Sequence, residues 1–159
     1  MLAPNSGDRP VVRFPILLAA AWLTALTPAN AQDANNAELI GELMAFHGSK
    51  AIVSAMTTHC YETTGLDGTY KIASDNWYLR NIGYLDLADR VIDRLGGAAE
   101  GAQRAAETYG GEQIMSAYNQ ADDRDAFCHA FLEQVEGGSL DIDKQLPEAL
   151  KKAQEIASK

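Results

Sequence analysis

Between Ser74 and Leu95 the apolar residues Tyr78, Ile82, Leu85, Ala88, Ile92 and Leu95 return every three or four positions, with Trp77, Tyr84 and Val91 on the flank. Residues at that spacing line one side of an α-helix, whereas a strand would send them to both faces, so the stretch is committed to a helix with one buried side. Ser74 or Asp75 is expected to cap its start and Gly96-Gly97 to end it. The same period runs through Leu39, Ile40, Leu43, Met44 and His47 and resumes at Ile52, Val53, Met56 and Cys60. It predicts one long helix, or two short ones meeting near Gly48-Ser49. Thr63 to Thr69 has turn chemistry and no period, and is expected to be a loop.

Ala98 to Asn119 is rich in alanine but divided by Gly110-Gly111, which predicts either an interrupted helix or two short ones with a turn between. Asp122 or Asp123 offers an N-cap for a further helix, with Phe127, Cys128, Phe131, Leu132 and Val135 on its apolar face and Gly137-Gly138 at its end. The three glycine pairs are thus all read as helix ends. A short last helix is expected from Pro147, carrying Leu150, Ala153 and Ile156. No run of alternating β-branched residues occurs. The fold class predicted is all-α, a compact antiparallel bundle of four to five helices with one disulfide.

Arg9 and Arg13 precede an apolar run from Ile16 to Leu26, followed by Thr27-Pro28-Ala29-Asn30-Ala31. Positive charge, a short apolar segment and small residues at Ala29 and Ala31 make residues 1–31 a secretory signal peptide, cleaved after Ala31. The run is too short to span a bilayer, which needs about 20 apolar residues. The mature part, 32–159, is expected to form a single helical domain in the periplasm or outside the cell, with no membrane attachment. The whole chain carries a formal charge of −9, and removing Asp8, Arg9 and Arg13 makes it one unit more negative. That balance argues against nucleic acid as a partner and in favour of a partner with a basic surface.

Cys60 and Cys128 each belong to the apolar stripe of a helix. Two inward-facing thiols in an exported chain predict one disulfide, which removes roughly 4 kcal/mol of unfolded-chain entropy in the simple loop model. An alternative arises because each cysteine has a histidine neighbour. His59, Cys60, Cys128 and His129 together are chemically a zinc or copper set. Adjacent helical residues point about 100° apart, so each pair is poorly placed to aim both side chains at one ion.

Asp86, Asp89 and Asp93 form a carboxylate stripe, but Arg90 and Arg94 are interleaved with it. A solvated helix face with an Asp86–Arg90 pair is expected rather than a cation site. Asp141-x-Asp143 lacks the rest of a calcium-binding loop and reads as loop and helix-start chemistry. The chain has no G-x-S-x-G, no H-E-x-x-H and no glycine-rich phosphate loop. A non-enzymatic protein is expected, with an enzyme lacking a recognisable motif as an alternative, and no cofactor is assigned.

The segment around Cys60, then Trp77-Tyr78-Leu79-Arg80-Asn81, then Phe127-Cys128-His129-Ala130-Phe131-Leu132 ahead of Leu140-Asp141, resembles the helical immunity proteins that block secreted peptidoglycan amidases, among the small periplasmic proteins of Gram-negative bacteria. The resemblance implies a disulfide-stabilised dimer that plugs a toxin's active cleft. The same features suit a periplasmic stress protein or an acid-activated chaperone. The function expected is therefore binding of another protein, with a periplasmic metal or small-ligand carrier using His59 and His129 as the alternative. Tyr61, Tyr70, Trp77 and Tyr118, in or beside loops, are the candidate partner contacts, because Tyr and Trp dominate binding hot spots. The competing assignment places all four in the core, where aromatic rings bury the most area.

Overall fold

The computed structural model describes residues 29–97 and 99–159, and the regular structure within them is entirely helical. The leader expected at 1–31 falls almost wholly on residues 1–28, outside the described residues. The long helix expected from Ala34 is continuous: α1, Ala29–Thr63, passes through Gly48-Ser49 without a break. Helix α2, Thr69–Arg94, returns antiparallel to it, so that Asp89 faces His47. Helix α3, Ala99–Gln120, turns back again and runs along α1, Gly110 beside Gly48 and Tyr118 beside His59.

The fourth leg of the bundle is broken into α4 (Arg124–Glu136), the single turn α5 (Ile142–Gln145) and α6 (Pro147–Ala157). It descends beside α2. Cys128 at its top joins Cys60, and Lys152 near its foot reaches Glu42 on α1 at 2.9 Å. The antiparallel bundle and its disulfide are as the sequence predicts, and α5 is the additional element. One core runs through it from Leu43 and Phe46 past Met56 and Trp77 to Ile142 and Ala153.

Local chemistry accounts for most of the boundaries. The Asp123 carboxylate accepts from the Ala126 N–H at 2.9 Å and starts α4, and Pro147 occupies the first turn of α6. Gly96 and Gly138 take φ of 77° and 73°, the left-handed conformation that lets the chain leave α2 and α4. Helix α2 begins earlier than Ser74, because Asp67 bonds the Thr69 N–H at 3.0 Å and the next turn packs Tyr70 and Ala73 into the core.

Two expectations are corrected here. Gly110-Gly111 does not end a helix but lies inside α3. A methyl built on Gly110 would stand 2.5 Å from the Gly48 carbonyl oxygen, and one on Gly48 would stand 3.3 Å from the Ala106 carbonyl oxygen. Bare backbone on both helices lets α1 and α3 approach closely, and this packing offsets the cost of about 1 kcal/mol for each helical glycine. The second correction is the phase of α2. Its first half turns Trp77 and Asn81 inward and leaves Tyr78 and Ile82 exposed, so the stripe read from Tyr78 to Leu95 starts on the outer face and ends on the inner one.

Inward-facing Asn81 explains how the broken fourth leg is held. Its side-chain oxygen accepts from the Ile142 N–H at 2.8 Å, while its amide donates to the Trp77 carbonyl at 2.8 Å and to Asp141 Oδ1 at 3.0 Å. Arg80 grips both oxygens of Asp141, at 2.8 and 3.0 Å, and donates to the Val135 carbonyl at 2.7 Å. Trp77 Nε1 donates to the Leu140 carbonyl at 2.9 Å. One turn of α2 therefore satisfies the backbone groups freed where α4 ends and α5 begins. Asp141 does start α5, but its carboxylate serves Arg80 and Asn81 rather than capping the helix.

Candidate functional site

Of the four aromatic residues expected at a partner interface, three are in the core. Tyr70 is fully buried, and burial pushes its phenol above the usual tyrosine range, with the Asp67 charge adding to the effect. Trp77 is buried on the Leu140 carbonyl. Tyr118 is buried edge-on between His59, 4.4 Å away between ring centres, and Phe127 at 5.8 Å. Their rings are occupied by packing and offer no face to a partner, so the interface assignment is corrected for these three. Tyr61 is half-buried, with Lys71 Nζ 3.8 Å above its ring.

The metal alternative is also corrected. Cys60 and Cys128 are bonded to each other and buried, so neither supplies a thiolate. His59 packs against Tyr118, its Nε2 buried without a hydrogen-bond partner, while His129 is exposed on α4. Among the described residues no three His, Cys, Asp or Glu side chains converge on a point where an ion could sit. The carboxylate stripe on α2 is engaged as a charged face. Asp86 pairs with Arg90 at 3.0 Å, and Asp89 accepts from buried His47 at 2.8 Å, a contact the sequence did not reveal.

What the sequence reading missed lies on the outside of α2. Leu79 is 70% exposed, Ile72 61%, and Tyr78 and Ile82 just over 40%. Positions 72, 79 and 82 fall on one line of the helix with Tyr78 beside it, directly opposite the buried stripe, so α2 is apolar on both faces. Leu66, in the loop before α2, is a further exposed apolar residue. It is 62% exposed and sits at a φ of 66°, a left-handed conformation that strains a branched side chain.

The charge around this surface is mixed, with Asp67, Asp75 and Asp86 against Lys71 and Arg90, an excess of one negative unit. Among the described residues Asp67 and Asp75 have no ion-pair partner, Asp86 shares its charge with Arg90, and Lys71 is turned onto Tyr61. Hydrogen bonds from the Thr69 hydroxyl and N–H hold the Asp67 carboxyl below its ordinary range, so it stays ionised. The arrangement is an apolar strip of four large side chains on α2, flanked by more carboxylates than cations. No helix of the described residues is long and apolar enough to cross a membrane.

Compared with family models, curated proteins and solved structures, the chain matches none.

Proposed function

We propose that this protein is an exported, non-enzymatic binding protein of the periplasm or cell exterior, and that the outer face of α2 docks a protein partner bearing an apolar patch ringed by basic side chains. The observation that carries the reading is the exposed strip of Ile72, Tyr78, Leu79 and Ile82. A chain with a well-filled core places large apolar groups together on its surface at a cost in solubility, and such strips mark interaction sites. The flanking carboxylates set the sign of the partner. Export is supported by the leader-like first residues and by a buried disulfide, which persists in an oxidising compartment. Inhibitory, immunity-type and stress-type roles all fall within this reading.

The test uses two labelled amphipathic helical peptides, one of leucine and lysine and one of leucine and glutamate, titrated by fluorescence anisotropy. The wild type should bind the basic peptide and reject the acidic one. Replacing Ile72 and Leu79 together by Asp should weaken the basic peptide by at least about tenfold, with an unchanged circular dichroism spectrum, since each buried apolar side chain is worth about 1.5–3 kcal/mol. Equal binding of the two peptides, or a double variant that binds like wild type, would refute the assignment.

A further inference from the structure

A second surface, away from the outer face of α2, has the form of a small-molecule site. Where α1 and α3 cross at Gly48 and Gly110, the end of α5 closes one side of a hollow of about 390 Å³. Its walls are Met44, Ile52 and Leu146, and its rim carries Tyr109, Gln113 and Gln145. The volume lies within the range of small-ligand pockets, at the end that suits one or two rings.

The charge pattern selects the kind of ligand. In a chain carrying −9, no Asp, Glu, Lys, Arg or His among the described residues lines this hollow, nor the adjoining one that shares Ile52 and Gln113. The other large hollow along α1 and α3 contains Lys50, Glu62 and Glu107, and the one between α1 and α6 contains Glu38, Lys152 and Glu155. The rim supplies hydrogen bonds without charge. Tyr109 accepts from Gln113 Nε2 at 2.7 Å, which leaves its own hydroxyl proton to give, and Gln145 Nε2 gives one of its two hydrogens to the Ser139 carbonyl, which leaves its side-chain oxygen to accept.

Gly41, one of four helical glycines with Gly83, Gly101 and Gly111 whose added Cβ would meet nothing, is the one that borders this hollow. It lies inside α1 with ordinary helical backbone, and a methyl built on it would meet nothing within 4 Å. Neither strain nor crowding calls for glycine here, in contrast to Gly110, and a helix interior favours almost any other residue. The bare backbone keeps the wall of the hollow open at that point. Tyr109, 63% exposed, stands at the edge as a flat apolar surface with a polar tip.

We infer that this hollow binds a small uncharged molecule made of an aromatic ring system with one hydroxyl group. The ring lies among Met44, Ile52 and Leu146, and the hydroxyl meets the Gln145 and Tyr109 rim. The inference is independent of the α2 docking surface, and the probe is chosen to separate them. The probe is 2-naphthol, titrated by calorimetry against the full chain and three variants.

Wild type should bind one equivalent with a Kd on the order of 10⁻⁴ M. Gly41→Leu, which fills the hollow from α1, should bind at least about tenfold more weakly while keeping its helical spectrum. Tyr109→Ala, at an exposed position with no part in the core, should also weaken binding. Leu79→Asp should bind like wild type. Absence of saturable binding to the wild type, undiminished binding to Gly41→Leu and Tyr109→Ala, or loss of binding in Leu79→Asp would each overturn the assignment, the last by moving the naphthol to the α2 face.

Discussion

Replacing Asn81 by Leu tests whether the fourth leg of the bundle is held by hydrogen bonds from α2 or by apolar packing alone. Leucine has a similar volume, so the change removes three hydrogen bonds with little change in shape. The Ile142 N–H loses its acceptor in a fully buried setting, which costs about 1–3 kcal/mol for the unsatisfied donor. Asp141 loses one donor but keeps the two-pronged Arg80, and the Trp77 carbonyl keeps its helical bond, so these add less. The expected total is about 2–4 kcal/mol, a large fraction of the 5–15 kcal/mol that holds a typical domain.

The assay is urea unfolding of the oxidised protein followed by far-ultraviolet circular dichroism, with Asn76→Leu on the exposed side of α2 as control. The midpoint of Asn81→Leu should fall markedly and that of the control by less than the equivalent of about 0.5 kcal/mol. The same variant tests the acid limb. Partial burial pushes the Asp141 carboxyl up, but hydrogen bonds from Arg80 and Asn81 together outweigh it and hold the group below its ordinary range. A carboxyl lowered on folding contributes stability that is present above the unfolded pKa of about 4 and is lost as pH falls through the folded value. Wild type should therefore lose stability below about pH 4, and Asn81→Leu should lose less over that interval. A midpoint indistinguishable from that of the control would refute the clamp.

Three further changes probe the remaining features. Gly110→Ala drives a methyl into the Gly48 backbone and should destabilise by about 1–3 kcal/mol, whereas Gly41→Ala meets open space and should stabilise by about 0.5–1 kcal/mol, both read from thermal melts. Leu66→Gly relieves the left-handed strain and should raise stability by about 0.5–1 kcal/mol, so a fall in stability would show that the loop holds Leu66 by favourable contacts. Replacing Cys60 and Cys128 together by Ala should cost roughly 4 kcal/mol in the loop model. The native wild type should show no thiol to alkylating reagent, and two reactive thiols in the folded protein would contradict the buried bond.

The helical class, four of the five longer helices, the loop between α1 and α2 and the pairing of Cys60 with Cys128 were readable from the chain, while α5 and the continuity of α3 through Gly110-Gly111 were not. Helical period, turn residues and caps act within a few positions of one another, and two cysteines admit only one intramolecular pair. Asp123 before α4 and Pro147 at the start of α6 act in the same local way. Direction was not readable. Helix α2 carries one apolar stripe around Trp77, Leu85 and Ala88 and another around Ile72, Leu79 and Ile82, and its period is satisfied by either or by a path crossing between them. Asn81 obscured the inner stripe, because a polar residue reads as solvent-facing until the Ile142 N–H and Asp141 are brought against it from about sixty residues away.

The same limit separates Gly110 from Gly96. Both invite a helix end, but Gly96 takes a positive φ for a local reason and Gly110 is kept by the approach of Gly48 from another helix. The sequence by itself determined that the chain is helical, where most helices stop and which covalent bond can staple them, because these follow from short-range geometry and residue chemistry. Only the tertiary structure decided which side of α2 is buried, which aromatics remain at the surface and where hollows open, because those depend on which helices meet, and a period has no knowledge of its neighbours.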